Sequence, residues 1–193
     1  MKFRMLAVAA AMVLSAGAHA ATVFSDNFDS DPLGLNAVPA GWTIGNDGTV
    51  DVIGNPGFFD LIPGNGRYID LDGSNGAAGL LETSFAVTAG LTYTATFQLA
   101  GNQRDGNSDS VAVVFGGSTL TPTLASSDGF TTYSVTTTAT GDTLTLSFLD
   151  GRPGNVGALL DNVSVSSVPE PATMSLFLAG IAALGFAARR RRA

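Results

Sequence analysis

The chain has 193 residues, of which 45% are hydrophobic and 13% are charged, and it contains no cysteine. The absence of cysteine excludes disulfides, thiolate metal sites and cysteine nucleophiles. The single histidine, His19, lies in an N-terminal segment that we expect to be removed. A mature chain without histidine or cysteine lacks the commonest general base, the commonest nucleophile–base pairs and the usual zinc ligands. The composition therefore predicts a protein that is not an enzyme.

The charge is unevenly distributed along the chain. The formal net charge is −7, but residues 21–168 contain 14 Asp and one Glu against three Arg, a formal charge of −12. Such an acidic body repels phosphate groups, so we expect no nucleic-acid partner. The length allows one domain with accessory segments.

Residues 1–20 have the pattern of a secretory signal peptide. Lys2 and Arg4 precede an apolar run over residues 5–13, and the segment ends in Ala-His-Ala. A basic start, a short apolar core and small residues at the end are typical of a signal cut after Ala20 by the secretion machinery. The apolar run is too short to span a bilayer, which makes an N-terminal anchor helix the weaker alternative.

Residues 21–167 are predicted to form one β-rich domain. Over residues 91–99, apolar side chains alternate with Thr or Gln, which is the period-two pattern of a half-buried strand. Similar or weaker patterns predict strands at 23–28, 42–44, 50–53, 68–71, 80–87, 110–115, 130–138, 142–148 and 159–165. Turn pairs such as Asn65-Gly66 and Asp150-Gly151 separate them. About ten short strands predict an all-β protein with an antiparallel β-sandwich.

Three segments of this body are similar to a known family. They are Tyr-Ile-Asp-Leu-Asp-Gly at 68–73, the strand Leu-Thr-Tyr-Thr-Ala-Thr-Phe at 91–97, and Gly-Ala-Leu-Leu-Asp-Asn-Val-Ser-Val at 157–165. Together they resemble exported bacterial jelly rolls of the galactose-binding-like or carbohydrate-binding-module type. The resemblance covers roughly residues 24–166 and implies a jelly roll whose first and last strands lie together. It does not imply a particular sugar, because this fold hosts many functions.

Asp161 is the most informative polar residue of the body. Its parity matches that of three apolar residues in the last predicted strand, and a buried carboxylate is costly unless it is paired or bound to a metal. The jelly-roll resemblance implies a structural calcium ion between Asp161 and an acidic residue after Phe28, here Asp29. The family usually has Glu at the first position, and this chain has the shorter Asp. The alternative is that Asp161 caps a turn or accepts backbone N–H bonds.

Two adjacent aromatic residues are candidates for ligand binding. Phe58 and Phe59 lie in a loop between two Pro-Gly pairs rather than in a clear strand. Exposed loop aromatics can stack on sugars, but two adjacent rings can also plug the end of a sandwich. We expect Trp42 and Tyr93 in the core.

Two other acidic motifs favour structural interpretations. Asp70 and Asp72 lie on one side of a predicted strand that ends in a Gly-rich turn, where Asp serves turn chemistry, so we expect no glycosidase pair. Asp105 begins a string with oxygen-bearing side chains at alternate positions, like the start of a calcium loop. Its sixth position is Ser110 and its twelfth is Gly116, which favours a solvated acidic loop.

Residues 168–193 have a different organisation. Pro169, Glu170 and Pro171 precede an uncharged stretch at 172–188, which ends in the cluster Arg189, Arg190, Arg191 and Arg192. Seventeen helical residues span roughly 25 Å, enough to cross a bilayer when Arg side chains snorkel at one end. The stretch is apolar on every face, which argues against an amphipathic docking helix. We predict a single transmembrane helix with the Arg cluster in the cytoplasm and the body outside.

This order of motif, helix and Arg cluster closely resembles the PEP-CTERM sorting signal of Gram-negative bacteria. The resemblance covers about the last 26 residues. It implies recognition by an exosortase, a membrane protease-transpeptidase that processes the chain near Pro-Glu-Pro. It also implies export through an inner-membrane-anchored intermediate and a link to exopolysaccharide or biofilm matrix.

These observations predict an exported, non-enzymatic β-sandwich at the cell surface or in the extracellular matrix. One hypothesis is a module that binds extracellular polysaccharide. The alternative is a structural matrix protein without a specific ligand, and a glycan-active enzyme using carboxylates alone is third.

Overall fold

The computed structural model describes residues 20–54, 58–152, 154–169, 180–181 and 189–190. It divides into two compact units, Ala20–Val168 and a unit that combines residues 1–19 with 169–193. The predicted signal peptide up to His19, Glu170, Pro171, most of the predicted C-terminal helix, and Arg191 and Arg192 lie outside the described residues. Gly180, Ile181, Arg189 and Arg190 are helical. Within the described part of the chain, no helix has the length and apolar character needed to cross a membrane.

The body is an antiparallel β-sandwich, as predicted. Its described strands are β1 Thr22–Asp26, β2 Thr43–Gly45, β3 Asp51–Gly54, β4 Arg67–Asp70, β5 Leu80–Ala86, β6 Thr92–Ala100, β7 Asp109–Phe115, β8 Ser118–Leu120, β9 Thr123–Leu124, β10 Thr131–Thr138, β11 Thr143–Asp150 and β12 Leu159–Ser167. Sheet 1 has the order β10-β6-β12-β4-β3, with β1 also paired to β12. Sheet 2 has the order β2-β5-β11-β7-β8, with β9 also paired to β7. The ten predicted strands are all present, and the short β8 and β9 were not predicted.

The core lies between the two sheets and follows the predicted alternation. In β6 the side chains that enter this core are Tyr93, Ala95, Phe97 and Leu99, and Trp42 is also buried in it. The rings of Phe97 and Phe148 meet edge to face at 5.0 Å and join the sheets. Burying each such side chain contributes about 1.5–3 kcal/mol. All members of this main cluster lie between residues 24 and 165, so the body carries a core of its own.

The first and last strands pair, as the jelly-roll resemblance implied. Thr22 is opposite Ser166 and Asp26 is opposite Val163 in the antiparallel β1–β12 ladder. The Ser167 N–H also donates to the Ala21 carbonyl at 2.9 Å. The entry and exit of the body therefore lie side by side.

A β-bulge interrupts the alternation of β12. Asp161 pairs with Gln98, but the next paired residue of β12 is Ser164, and Asn162 has φ of 49°. A bulge adds one residue to a strand and so reverses the side-chain parity beyond it.

This bulge corrects the face assigned to Asp161. Leu160, Val163 and Val165 belong to the inner core, whereas Leu159 belongs to a separate cluster on the outer face of sheet 1. By register Asp161 lies on the outer face with Leu159. The prediction that it shares a face with residues 163 and 165 is therefore wrong, because the bulge lies between them.

Candidate functional site

The loop between β3 and β4 folds over the outer face of sheet 1. There it covers a second hydrophobic cluster, whose buried members are Ile53, Tyr68, Ala100 and Leu159. The Tyr68 hydroxyl oxygen accepts the N–H groups of residues 61 and 62, at 2.6 and 3.0 Å. These bonds satisfy loop amides that would otherwise be unpaired under partial burial, and they fix the loop against the sheet.

Phe58 and Phe59 differ in burial. Phe58 is half-buried and packs against the second cluster, so it helps to close this face. Phe59 is 50% exposed, has φ of 48°, and contacts the Phe58 ring edge to face at 5.2 Å. A bulky residue with positive φ is uncommon, and such strain concentrates at functional sites. The Phe59 ring therefore presents an exposed apolar surface that is packed on one side against Phe58.

The rest of this outer face is rich in hydroxyl groups. Cross-strand Thr pairs join β6 to β10, with oxygens 2.9 Å apart for Thr94 and Thr136 and 3.2 Å apart for Thr92 and Thr138. Along β10 the side chains on this face are exposed. The period-two alternation predicts Thr side chains on the face opposite the core. It does not predict this hydroxyl-rich surface, because it shows which face is polar and not what lies beside it.

Asp161 is buried on the same face, with 1% exposure. Among the described residues, its carboxylate accepts hydrogen bonds from Asn162 alone, from the N–H at 2.6 Å and from the side-chain amide at 3.0 Å. Burial, with a smaller contribution from the nearby carboxylates of Asp29 and Asp26, raises the pKa of Asp161 to about 7, against the opposing effect of the Asn162 N–H. Asp29 and Asp26 are thus close enough to Asp161 to act on its charge. We call Asp26, Asp29 and Asp161 the acidic trio.

The other members of the acidic trio have local hydrogen-bond partners. Asp29 accepts the Arg67 N–H at 2.9 Å and the Asn27 amide at 2.8 Å. Asp26 accepts the Trp42 indole N–H at 2.8 Å. At Gly66 a Cβ atom would lie 2.1 Å from Asp29 Oδ1, so the turn before β4 needs glycine there.

The acidic trio offers oxygen atoms and negative charge, which are what a hard cation requires. Carboxylate oxygens are calcium ligands, and none of the ion pairs of the described residues involves Asp26, Asp29 or Asp161. A polar cleft of about 350 Å³ lies alongside Asp26 and Asn162. Among the residues that the structure describes, no three Asp, Glu or His side chains come together as a ready-made metal group. A calcium ion at Asp29 and Asp161 would need carbonyl or water oxygens to complete its shell.

Asp70 belongs to a different group of acids, where arginine balances the charge. Its Oδ2 accepts hydrogen bonds from the Arg104 guanidinium at 2.5 Å and from the Asn102 amide at 3.1 Å. Its Oδ1 accepts the backbone N–H groups of Gly157, at 3.0 Å, and of Asp72, at 3.1 Å. Burial raises the pKa of Asp70 to about 7, against the opposing effect of Arg104. This carboxylate joins β4 to the loops at 101–107 and 151–157, in accord with a structural role.

The loop that begins at Asp105 is closed by arginine. Asp105 Oδ1 accepts the Asn107 N–H at 3.0 Å, and its Oδ2 pairs with Arg152 Nη1 at 2.6 Å. This arrangement agrees with an acidic loop whose charge arginine partly balances.

Comparison with known families gives two matches that together cover the body and the tail. The PEP-CTERM protein-sorting motif matches residues 167–192. This motif indicates an exported protein that is processed at the membrane. A family described as protein of unknown function (DUF642) matches residues 25–166. A search of curated proteins finds no match.

Three solved structures with the same fold contain CBM22 modules. The CBM22-1 xylan-binding domain of Paenibacillus barcinonensis Xyn10C is 13% identical, with TM-score 0.56, covering 79% of this chain and 97% of that domain. The CBM22-1–CBM22-2 tandem of the same protein is 14% identical, with TM-score 0.57 and coverages of 81% and 48%. The CBM22-1–GH10 modules of Clostridium thermocellum xylanase 10B, complexed with xylohexaose, are 16% identical, with TM-score 0.52 and coverages of 78% and 29%. The chain thus spans less than a third of that xylanase structure, and the similarity shows the jelly-roll fold.

Proposed function

This chain belongs to the DUF642 family, and on that premise we propose that it is an exported, non-catalytic protein that binds extracellular polysaccharide. Its place of action is the cell surface or extracellular matrix of a Gram-negative bacterium. The single observation that carries the proposal is Phe59 on the hydroxyl-lined face of sheet 1. Its ring is exposed, and its backbone has a positive φ, which is strained for a bulky residue.

The chemistry of that face suits a sugar chain. A pyranose ring has an apolar C–H face, which stacks on an aromatic ring, and hydroxyl edges, which need hydrogen-bond partners. Phe59 offers the flat apolar surface, and residues such as Thr132 and Gln98 offer polar groups on the same face. A few polar groups beside an aromatic surface are what a small polar ligand requires. The fold likeness to a xylan-binding domain supports polysaccharide as the ligand class.

Catalysis is not part of this proposal. The described body contains no histidine or cysteine, and its most perturbed carboxylates, Asp70 and Asp161, are almost completely buried. Asp70 is also held by four donors, which leaves little freedom for proton transfer to a substrate.

The tail supports delivery to the surface. Pro169, Glu170 and Pro171 with Arg189 to Arg192 form the PEP-CTERM signal, so exosortase is the proposed processing partner. The stretch at 172–188 is proposed to anchor the exported intermediate in the inner membrane before processing. The link to exopolysaccharide or biofilm belongs to the same proposal.

Calcium at Asp29 and Asp161 also belongs to this proposal. The support is that Asp161 is buried near two further carboxylates. In the described part of the chain no arginine side chain donates a hydrogen bond to these acids, since Arg67 donates to Asp29 only through its backbone N–H. Calcium supplies positive charge at this point and thereby lets β1 and β12 keep their acids ionised at the junction of the first and last strands.

The test is retention of the body, residues 21–168, on polysaccharides that include xylan and the exopolysaccharide of the host. We expect Phe59→Ala to lose retention. Val114→Ala is the matched control, because Val114 is also exposed but belongs to β7 of sheet 2. Retention that survives Phe59→Ala would contradict the assigned face. No retention of the wild-type body on any polysaccharide would favour a structural matrix protein instead.

A further inference from the structure

A second group of buried acids lies at one end of the sandwich. Asp72 follows β4 of sheet 1, whereas Asp109 begins β7 and Asp150 ends β11 of sheet 2. All three are at least 95% buried. The carboxylates of Asp109 and Asp150 both act on the pKa of Asp72, which burial raises to about 6. Acids from both sheets therefore share one small volume, which we call the end group.

Asp72 differs from every other acid in this region because it has no hydrogen-bond partner. Neither of its oxygens accepts a hydrogen bond in the described part of the chain, and Asp109 Oδ2 likewise has none. The Val156 amide lies near enough to lower the pKa of Asp72, yet it does not reach hydrogen-bond geometry. A buried carboxylate without donors has to be neutralised, by a proton or by a cation.

Arg152 lies beside the end group, but none of its side-chain hydrogen bonds goes to Asp72. Arg152 Nε pairs with Asp109 at 2.8 Å, Nη1 pairs with Asp105 at 2.6 Å, and Nη2 donates to the Val156 carbonyl at 2.6 Å. Asp150 accepts only backbone N–H groups, those of Arg152 and Ala158. One guanidinium therefore faces four carboxylates, which leaves the region with an excess of negative charge that a divalent ion would reduce.

The loop at 151–157 comes unusually close to Asp72. A Cβ atom at Gly157 would lie 2.5 Å from the Asp72 Cβ, and one at Gly154 would lie 3.4 Å from Asp72 Oδ2. Gly154 also has φ of 152°, which favours glycine. Backbone that approaches a carboxylate this closely can supply carbonyl oxygens. Calcium takes six to eight oxygens from carboxylates, carbonyls and waters together, so it does not require three converging carboxylates.

We infer that Asp72 and Asp109 bind a calcium ion at the end of the sandwich, beneath the loop at 151–157. This site shares no residue with Asp29 and Asp161. In it, the ion would link β4 of sheet 1 to β7 of sheet 2 and hold the loop over them. Its flexible coordination shell makes calcium a better fit than magnesium, which demands near-octahedral geometry and gives up water reluctantly.

The experiment is calorimetric titration of calcium chloride into the body, residues 21–168, after chelator treatment. To separate the two sites, the titration is done in an Asp161→Asn background. We expect one calcium ion per chain to bind there, and Asp72→Asn to remove it or weaken its binding at least tenfold. Asp47→Asn is the matched control, because Asp47 is exposed and lies outside the end group. Circular dichroism checks that each variant is folded.

Several results would overturn the inference. They are unchanged calcium binding in folded Asp72→Asn, no calcium binding in the Asp161→Asn background, or magnesium binding as tight as calcium binding. If Asp72→Asn does not fold, anomalous diffraction from a calcium-soaked crystal of the unaltered body decides the question. A peak beside Asp72 supports the site, and a crystal without one overturns it.

Discussion

Asp161 of the acidic trio and Asp70 are alike in burial but differ in how their charge is balanced. Asp161 and Asp70 are both almost completely buried, and burial raises the pKa of each to about 7. Asp70 receives Arg104, an amide and two backbone N–H groups. Asp161 receives bonds from Asn162 alone and lies near two more acids.

The difference follows from a shortage of cations. The body has three arginines. Arg104 pairs with Asp70, and Arg152 pairs with Asp105. The Arg67 guanidinium donates to the Asp31 backbone carbonyl. No arginine of the described body remains to neutralise Asp161, so its compensation within the body has to come from a proton or from solution. Similar pKa values can therefore arise at a completed network and at an incomplete one.

The largest expected effect is that of Asp70→Ala. It leaves the buried Asn102 amide and the Gly157 N–H without their acceptor, at a cost of about 1–3 kcal/mol for each unsatisfied buried group. It also removes the partner of the Arg104 guanidinium, which is partly exposed. Asp161→Ala, measured with chelator present, should cost much less, because it also removes an unbalanced charge. Urea unfolding of the body measures both. Equal losses for the two variants would mean that the two acidic groups do not differ as described.

The next effect is stabilisation of the acidic trio by calcium. A ligand that binds only the folded state at 100 times its dissociation constant adds about 2.7 kcal/mol. At roughly 2–4 °C per kcal/mol, the melting temperature should rise by about 5–10 °C. Asp161→Asn should remove the contribution of this site, whereas Asp70→Asn should keep it.

Magnesium is the control for that experiment, since a body with a formal charge of −12 gains from any divalent ion. Equal stabilisation by both ions, or a full calcium effect in a protein that carries both Asp161→Asn and Asp72→Asn, would indicate diffuse charge neutralisation.

The third prediction concerns pH in the absence of divalent ions. The pKa of Asp161 and that of Asp70 are about 7 in the folded state, above the unfolded value of about 3.9. The folded state therefore binds more protons between these values. The contribution to stability is complete below about pH 4 and is lost as the pH rises through 7. The melting temperature should fall from pH 5 to pH 8, and Asp161→Asn should flatten that fall. A melting temperature that rises over this interval would contradict the raised pKa values.

The smallest effect is expected at the exposed ion pair between Asp105 and Arg152. Hydrogen bonding from Arg152 lowers the pKa of Asp105 to about 2, but the carboxylate is open to solvent. Salt screens such pairs, so the small change caused by Asp105→Asn should vanish in concentrated salt. The loss caused by Asp70→Ala should persist there. Thermal melts at low and high ionic strength distinguish the two.

The strands and the core were predictable because alternation reports burial directly. In β6 and β11 the apolar residues at every second position all lie in the core. β8 and β9 have three and two residues, too few for any periodicity to be detected. They form because the chain after β7 turns back along that strand, which is a tertiary effect.

The surroundings of the acids were much less predictable. The face of Asp161 depends on the bulge at Asn162, a residue type that tolerates positive φ but does not require it. Asp70 and Asp72 have the same residue type and parity, yet one has four donors and the other has none. That contrast depends on where two distant loops fold, which no local pattern encodes.

The position of β12 has a mechanical consequence for an exported protein. The tail continues directly from this strand, and β12 is hydrogen-bonded on both sides, by β6 along one edge and by β4 and then β1 along the other. A pull transmitted through residue 168 acts along the strand axis, whereas the ladder bonds lie across it. Such a load shears many bonds at once instead of peeling them one by one. The point at which tension enters the body is thus among its most resistant to rupture.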